Sequence, residues 1–321
     1  MIMTGTFGAI IQLIAGFVLL YFGGDWLVNG GVALARRFRI SSLVIGMTIV
    51  AFGTSAPELL VSMTSAIKGS SGIAMGNVLG SNIANIGLIL GLTAMLCPIP
   101  TQNRKVSVNG LIMILASLLV LVFSLNNGIG RPEGLMLFAG IVLFTVFSIR
   151  LGRIRKESQQ PDVEPDMQER EMSVAVALLL VILSCAMLAF GADFMVDGAT
   201  ILAQSLGVSD KVIGLTIVAL GTSLPELAAS IAAALKKEMD ISIGNIIGSN
   251  IFNLMCVLGV SASIRPIPFD YMPYRTDFII MFAFSAGLIL LIQPWKAEGR
   301  LGRISGIIMF AAYAVYAWSL F

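Results

Sequence analysis

Long apolar stretches alternate with short polar segments along the whole chain. Within each stretch the apolar residues follow one another directly instead of alternating with polar residues. The stretches therefore predict helices and exclude barrel strands. Most reach the roughly 20 residues that a helix needs to cross the hydrocarbon core of a bilayer. The predicted spans lie near residues 7–35, 41–67, 74–97, 106–126, 132–150, 173–206, 210–235, 242–264, 276–293 and 303–320. The expected fold class is an all-α polytopic membrane protein with ten transmembrane helices.

Composition narrows the class further. The chain of 321 residues is 57% hydrophobic and 12% charged, whereas soluble domains carry about 25% charged residues. The net charge of +2 gives no indication of a nucleic-acid partner; the lipid bilayer is the expected partner, and no obligate protein partner is evident. Histidine is absent, which removes the commonest proton relay and transition-metal ligand. The cysteines are predicted to be apolar packing residues rather than disulfides: Cys97, Cys185 and Cys256.

The basic residues predict the orientation. Of the 20 lysines and arginines, 15 fall in one set of alternate loops and 5 in the other. The richer set is expected to face the cytoplasm, so both termini are predicted to be extracellular and the protein to lie in the cell membrane. The polar stretch 151–172 is predicted to be a cytoplasmic linker between two halves, residues 1–150 and 173–321. Met1–Gly24 is expected to be part of the first membrane helix rather than a cleaved signal.

One sequence block occurs twice, 168 residues apart. Residues 45–59 match residues 213–227 at 12 of 15 positions, and residues 76–87 match residues 244–255 at 7 of 12 without a gap. Each half contains five predicted spans, and an odd number makes the second half enter the membrane in the opposite sense. The chain is therefore predicted to form two inverted five-helix repeats, an architecture in which secondary transporters place their site near the midplane.

Two glutamates lie in the middle of predicted spans, one in each copy of the block. A carboxylate at the bilayer centre costs roughly 2.5–3.5 kcal/mol on insertion scales, and neither Glu58 nor Glu226 has a lysine or arginine nearby in its own span. Two unpaired buried carboxylates also repel each other. A bound cation removes both penalties, so we predict that these two residues hold an ion.

Other oxygen-bearing groups accompany the glutamates. Pro57 and Pro225 precede them and are predicted to free the carbonyls of Gly53 and Gly221 from helical hydrogen bonds. Side chains at a spacing of four residues share one helix face. The hydroxyls and amides predicted to line the site are Thr54, Ser55, Thr222, Ser223, Ser81, Asn85, Ser249 and Asn253. All of these ligands are oxygens, which favours hard cations such as Na+, K+ and Ca2+.

Further polar residues in the spans are assigned to helix association. Asn77 and Asn82, with their counterparts Asn245 and Asn250, are predicted to hydrogen-bond between helices rather than to bind ions. The two remaining intramembrane carboxylates lie nearer the ends of their spans and no helix breaker accompanies them. We predict that they are structural partners of neighbouring helices: Asp25 and Asp193.

The repeated motifs resemble the two alpha-repeats of the cation/calcium exchanger superfamily, in its Na+/Ca2+ exchanger branch of the prokaryotic type without a regulatory domain. The residues are GTSAPE (53–58) and GTSLPE (221–226), followed by GSNIAN (80–85) and GSNIFN (248–253). The resemblance covers nearly the whole chain and implies Na+/Ca2+ antiport by alternating access, with three Na+ for each Ca2+. It implies that Ca2+ binds the two glutamates and the carbonyls of Thr54 and Thr222.

The resemblance also implies the sodium ligands and the ion dependence. Na+ is expected at Ser55, Ser81, Ser223 and Ser249 and at the carbonyls of Ala51 and Ala219, with Asn85 and Asn253 lining the centre. Potassium-dependent relatives carry an aspartate at the position of Asn253, so exchange is expected to be independent of K+. No cofactor is expected besides the transported Na+ and Ca2+.

Three other functions fit parts of the sequence less well. A Ca2+/H+ or other cation antiporter could use the same glutamates, although the Ca2+/H+ branch lacks the Pro-Glu pair. An intramembrane aspartyl protease built on Asp25 and Asp193 needs a Gly-x-Gly-Asp block, which neither position supplies. A channel needs no counter-ion. The sequence favours an antiporter and not an enzyme.

Overall fold

The computed structural model describes residues 6–101, 104–125, 128–157, 172–207, 219–292 and 299–320, and nearly all of them are helical. Four two-residue strands, β1 (Ile99–Pro100), β2 (Gly128–Ile129), β3 (Ile267–Pro268) and β4 (Arg300–Leu301), connect helix ends. The helices are α1 (Thr6–Arg37), α2 (Ser42–Thr54), α3 (Ala56–Lys68), α4 (Ser71–Leu96), α5 (Arg104–Ser124), α6 (Arg131–Glu157), α7 (Val174–Ser205), α8 (Ala219–Gly221), α9 (Leu224–Leu235), α10 (Met239–Ile264), α11 (Tyr271–Ile292) and α12 (Arg303–Ser319).

Seven of the described helices are long and apolar enough to cross a membrane, and α2 with α3 makes an eighth if the bent pair is one span. The other two predicted spans correspond to α8 with α9, whose preceding residues 208–218 lie outside the described part, and to α12, which has 17 residues. The all-helical, multi-pass fold class is confirmed. The count of ten spans in two inverted repeats stays a prediction.

The predicted linker begins inside a helix. Helix α6 continues past the predicted end of its span to Glu157, because residues 151–157 are mostly good helix formers and the first proline comes only at position 161. Residues 158–171, the larger part of the predicted linker, lie outside the described residues.

The Gly-Thr-Ser-x-Pro-Glu blocks break their helices at the serine, which lies two residues before the proline and two residues after the glycine whose carbonyl the proline was predicted to free. Ser55 leaves the helical conformation, with φ −86° and ψ 9°, and α2 and α3 meet there at 48°. Pro57 lies in the first turn of α3, where its missing N–H needs no partner. The proline therefore starts a new helix instead of kinking a continuous one. Ser223 repeats the break before α9, with φ −90° and ψ 2°.

Among the described residues, three helices contain a widened π-helical turn that the sequence pattern did not predict. The turns span Gly46–Val50 in α2, Asn85–Leu90 in α4 and Asn253–Val257 in α10. Such turns are rare and often mark functional sites, because they rotate the following side chains relative to a regular helix. Two of them begin at the asparagines that the sequence places in the ion site.

The two halves of the chain interlock. Strand β1 pairs with β4 and β2 pairs with β3, both antiparallel, so each pair joins one strand from each half. Helices α4 and α10 are the most buried of the long helices, and side chains from both contribute to one apolar core. This packing brings the two copies of the repeated block together at the centre of the molecule.

Candidate functional site

The two predicted glutamates lie in the first turns of α3 and α9, directly after the helix breaks. Both side chains are fully buried, and their carboxylates are close enough to repel each other. A helix N-terminus carries unpaired N–H groups and a partial positive charge, which partly offset a buried carboxylate. The breaks thus place the two carboxyl groups near each other in the interior.

Hydroxyls from both halves surround Glu226. Its Oε1 accepts hydrogen bonds from Ser55 Oγ at 2.7 Å and from Ser249 Oγ at 3.4 Å. Thr54 Oγ1 lies 3.4 Å from Ser249 Oγ. Ser55 and Thr54 belong to the first copy of the block, and Ser249 and Glu226 to the second. The network therefore joins four predicted ligands across the two halves.

Two asparagines form hydrogen bonds between the helix that follows each break and a neighbouring helix. Asn77 Nδ2 donates to the Glu58 carbonyl at 3.2 Å and to Ser62 Oγ at 2.9 Å. Asn245 Nδ2 makes the same pair of bonds, to the Glu226 carbonyl at 3.4 Å and to Ser230 Oγ at 3.0 Å. Their amide oxygens accept from the threonines of the opposite copy, since Thr54 Oγ1 lies 3.1 Å from Asn245 Oδ1 and Thr222 Oγ1 lies 3.5 Å from Asn77 Oδ1.

Ser62 and Ser230 were missed by the sequence analysis. Each lies four residues after its glutamate, on the same face of the helix, and the two serines are 168 residues apart, the offset of the repeat. These two signals together could have identified them. They support the site through Asn77 and Asn245 and do not contact the carboxylates in the described structure.

Four asparagine side chains lie at the contact between α4 and α10. Asn82 Nδ2 donates to the Asn250 carbonyl at 3.4 Å, and Asn250 Nδ2 returns a bond to the Asn82 carbonyl at 3.3 Å. Asn85 Nδ2 donates to Asn250 Oδ1 at 3.0 Å. The corresponding bond from Asn253 to Asn82 Oδ1 is not formed. The first pair joins the two helices, and Asn85 and Asn253 lie beside it, fully buried.

Several buried polar atoms at this centre have no hydrogen-bond partner among the residues that the structure describes. An unpaired buried polar atom costs about 1–3 kcal/mol, so such a concentration is expected only where a ligand satisfies it. All of them except one amide nitrogen are oxygens that can coordinate a cation. The atoms are Glu58 Oε1 and Oε2, Glu226 Oε2, Ser223 Oγ, Asn82 Oδ1, Asn85 Oδ1 and Asn253 Oδ1 and Nδ2.

The remaining predicted ligands are not linked directly to the two glutamates by the described hydrogen bonds. Ala51 is buried, and its carbonyl already accepts from Ser55 N at 3.0 Å and from Thr54 Oγ1 at 3.4 Å. Ser81 is buried on α4. Ala219 begins the short helix α8, and only its backbone is described. The hydrogen bonds tie neither Ser81 nor Ala219 to the glutamates.

The aspartates of α1 and α7 lie apart from this centre. Asp25 forms an ion pair with Lys236, and Asp193 is exposed. We therefore expect Asp25→Asn and Asp193→Asn to leave the preference among Na+, Ca2+ and other cations unchanged, even where the transport rate or the yield falls. Competition of unlabelled cations with radioactive Ca2+ measures this preference. An altered order of competing cations in either variant would place the aspartate in the ion site.

Comparison with known proteins gives one consistent result. The family described as sodium/calcium exchanger protein matches residues 8–150 and 176–321. A relative named "Putative antiporter CaxA", from Alkalimonas amylolytica, is 39% identical and the match covers 98% of both chains. "Sodium/calcium exchanger MaX1", from Methanosarcina acetivorans, is 33% identical over 96% of this chain and 97% of its own.

Solved structures agree with the sequence relatives. A structure of the sodium-calcium exchanger NCX_Mj, soaked with Na+ and Sr2+, superposes with a TM-score of 0.83 at 33% sequence identity. The superposition covers 98% of this chain and 99% of that chain. The likeness thus extends over both halves of the chain.

Proposed function

The chain belongs to the sodium/calcium exchanger family of membrane transporters, and we propose that it exchanges Na+ for Ca2+ across the cell membrane through a site centred on Glu58 and Glu226. The exchange runs by alternating access, with three Na+ for each Ca2+, without K+, and with both chain termini outside the cell. The observation that carries the proposal is the pair of buried carboxylates among unpaired oxygens from both halves.

The chemistry of the centre fits these two ions. Ca2+ takes 6–8 oxygen ligands with flexible geometry, and two carboxylates neutralise its charge. Na+ has half that charge and accepts neutral oxygens, which the serines, threonines and backbone carbonyls of both breaks supply. Antiport requires that Na+ and Ca2+ bind to the same set of oxygens at different times. The two ions then compete for one site, and only one kind is carried in each direction.

The test is radioactive Ca2+ uptake into liposomes that contain the purified protein. An outward Na+ gradient is expected to drive uptake, and a pH gradient of equal size is expected to drive none. Protein-free liposomes and a matched K+ gradient serve as controls. Uptake driven by the pH gradient in the absence of Na+ would support Ca2+/H+ antiport instead, and Ca2+ flux without any counter-ion would indicate a channel.

Potassium is expected to have no effect on the rate. Asn253 is neutral, so the centre has only the two negative charges of Glu58 and Glu226, and one Ca2+ already balances them. The resemblance implies an aspartate at the position of Asn253 in potassium-dependent relatives, and the neutral amide supplies no such charge for a K+ ion beside Ca2+. Replacing all K+ by N-methyl-D-glucamine should therefore leave Na+-driven Ca2+ uptake nearly unchanged. Uptake that stops without K+ would contradict the role assigned to Asn253.

A further inference from the structure

An open cavity of about 520 Å³ lies at one end of the helix bundle. Three connections line it: the turn between α3 and α4, the segment that leads into α6, and the segment that follows α10. Ile129 and Ile267, from the paired strands β2 and β3, form part of its apolar wall. The volume is in the range of small-molecule sites, roughly 300–1,000 Å³. Among the described residues that line the cavity, none is a predicted ion ligand.

Two residues of opposite charge line this cavity, and they form no ion pair with each other in the described structure: Glu133 and Arg265. Arg265 Nη1 donates to the carbonyl of Ile67 at the end of α3. That bond uses one of the five N–H donors of the guanidinium. Within the described part of the chain, the half-buried Glu133 has no hydrogen-bond or ion-pair partner. The cavity therefore offers a separate cation and a separate carboxylate.

Glycines leave room for both charged groups. Arg265 Nη2 lies 3.6 Å from the place that a Cβ on Gly69 would occupy. A Cβ on Gly130 would lie 2.6 Å from Glu133 Oε2, so a larger residue there would displace the carboxylate. Both glycines also line the cavity. The ends of the two charged side chains thus lie against its lining.

The fold itself does not require either charge, because the other half of the chain forms the same structure without them. Arg265 begins the block RPIP, whose copy in the first half is CPIP, with Cys97 in place of the arginine. Glu133 lies in the block IGRPEG, whose copy in the second half is LGRISG, with Ser305 in place of the glutamate. At each end of the molecule the two blocks pair as antiparallel strands. The arginine and the glutamate are therefore additions at one end only.

Exposed apolar side chains begin directly beside the cavity. Leu135 and Met136, which follow Glu133 on α6, are 59% and 52% exposed, and Ile264, which precedes Arg265 on α10, is 44% exposed. Both helices are long and apolar enough to cross a membrane. A charged cavity at the ends of such helices lies where lipid headgroups meet the protein, and acyl chains can then lie along the exposed side chains.

We propose that this cavity binds a phosphoethanolamine group, with its phosphate on Arg265 and its primary ammonium on Glu133. A guanidinium matches phosphate oxygens with its planar set of donors, and a carboxylate accepts hydrogen bonds from an ammonium. One lining charge of each sign matches a ligand with one charge of each sign. The adjacent apolar side chains favour phosphatidylethanolamine as the source. The inference goes beyond the proposed exchange function and does not depend on it. Under the orientation predicted from the basic residues, the cavity faces the outer leaflet.

The test is native mass spectrometry of the whole chain in detergent, titrated with lipids that have the same acyl chains and different headgroups. The first bound molecule of phosphatidylethanolamine should bind at least about fivefold more tightly than that of phosphatidylcholine or phosphatidylglycerol, the factor expected for one partly exposed charged contact. Choline has no N–H to donate to Glu133, and glycerol has no positive charge. Equal affinities for the three lipids would overturn the proposal.

Two variants introduce the residues that the other half has at these positions. Arg265→Cys should weaken all three lipids about fivefold or more, because all contain the phosphate. Glu133→Ser should reduce only the affinity for phosphatidylethanolamine, to that for phosphatidylcholine, a split that a loosened fold would not produce. Arg275→Cys and Glu238→Ser are the matched controls, since they make the same changes at residues that do not line the cavity, and they should change no affinity.

Water-soluble glycerophosphoethanolamine distinguishes the two sources of the headgroup. Phosphatidylethanolamine that an excess of this compound does not displace identifies the lipid as the ligand. Binding of the soluble compound as tightly as the lipid identifies a free phosphoethanolamine compound instead, and both results support the site if the two variants lose binding as described. Variants that behave like their controls, or a Glu133→Ser protein that loses all three lipids equally, would overturn it. None of these measurements involves ion transport, so a failure of Na+-driven Ca2+ uptake would leave the result unaffected.

Discussion

Replacing either Glu58 or Glu226 by glutamine is expected to reduce Na+-driven Ca2+ exchange at least about a hundredfold. The amide has the shape of the carboxylate but no charge. A unit charge about 4 Å from a monovalent ion contributes roughly 4 kcal/mol at an effective dielectric constant of about 20, and a divalent ion interacts about twice as strongly. Loss of one carboxylate also leaves a Ca2+-loaded centre with an uncompensated charge in a buried site.

The measurement is radioactive Ca2+ uptake into liposomes at saturating Na+ gradient, together with Ca2+ binding to the detergent-solubilised protein by equilibrium dialysis. Both variants should elute as the parent does on size exclusion, because glutamine adds no bulk. Glu238→Gln is the matched control, since it makes the same chemical change in the loop before α10. Parent-like uptake in a folded Glu58→Gln or Glu226→Gln protein would remove that residue from the ion site.

The repeat in the sequence accounts for much of the site. Residues 168 apart make matching contacts: Asn77 and Asn245 each bond to the backbone after a helix break, and Asn82 and Asn250 exchange bonds across α4 and α10. The recurrence of polar residues at a fixed offset in the sequence therefore identified the helix breaks and the helices α4 and α10 that form the site. The resemblance to the exchanger family, stated from the same motifs, is confirmed by the family match.

The local geometry of the breaks was less predictable. The sequence analysis placed the disruption at the carbonyls freed by Pro57 and Pro225, whereas the chain leaves the helix at Ser55 and Ser223. A proline only removes the hydrogen bond to the carbonyl of the residue four positions before it. The residue at which the helix ends depends on the hydrogen-bond partners available to the residues that precede the proline. Ser55 reaches Glu226 in the other half of the chain, a tertiary contact that local sequence does not encode.

The asymmetry between the halves could not be predicted at all. Ser55 donates to Glu226, whereas its counterpart Ser223 has no partner and neither oxygen of Glu58 receives a bond. The two blocks are nearly identical in sequence, so they have nearly equal local preferences. The difference therefore lies in the tertiary contacts around each block and not in the local preference of either block.

Exchange is expected to be electrogenic, with Ca2+ accumulation set by the membrane potential. One Ca2+ neutralises Glu58 and Glu226, and Asn85 and Asn253 add no charge. Three Na+ in the same centre carry one more positive charge than one Ca2+. Each cycle then moves one net charge, worth about 2.3 kcal/mol per 100 mV. The Ca2+ ratio at equilibrium should therefore change about 50-fold for a 100 mV change in potential.

The potential of the liposomes is clamped with valinomycin and graded K+ gradients, after the K+ independence of the flux has been established. At each voltage the Na+ gradient is varied until net Ca2+ flux is zero. For three Na+ per Ca2+, an inside-negative potential favours Na+ entry and Ca2+ exit, so the zero-flux point should move with voltage by one charge per Ca2+. A zero-flux point that stays fixed would show neutral exchange of two Na+ per Ca2+, and it would mean that the neutral oxygens of Ser223, Asn85 and Asn253 do not bind a third Na+.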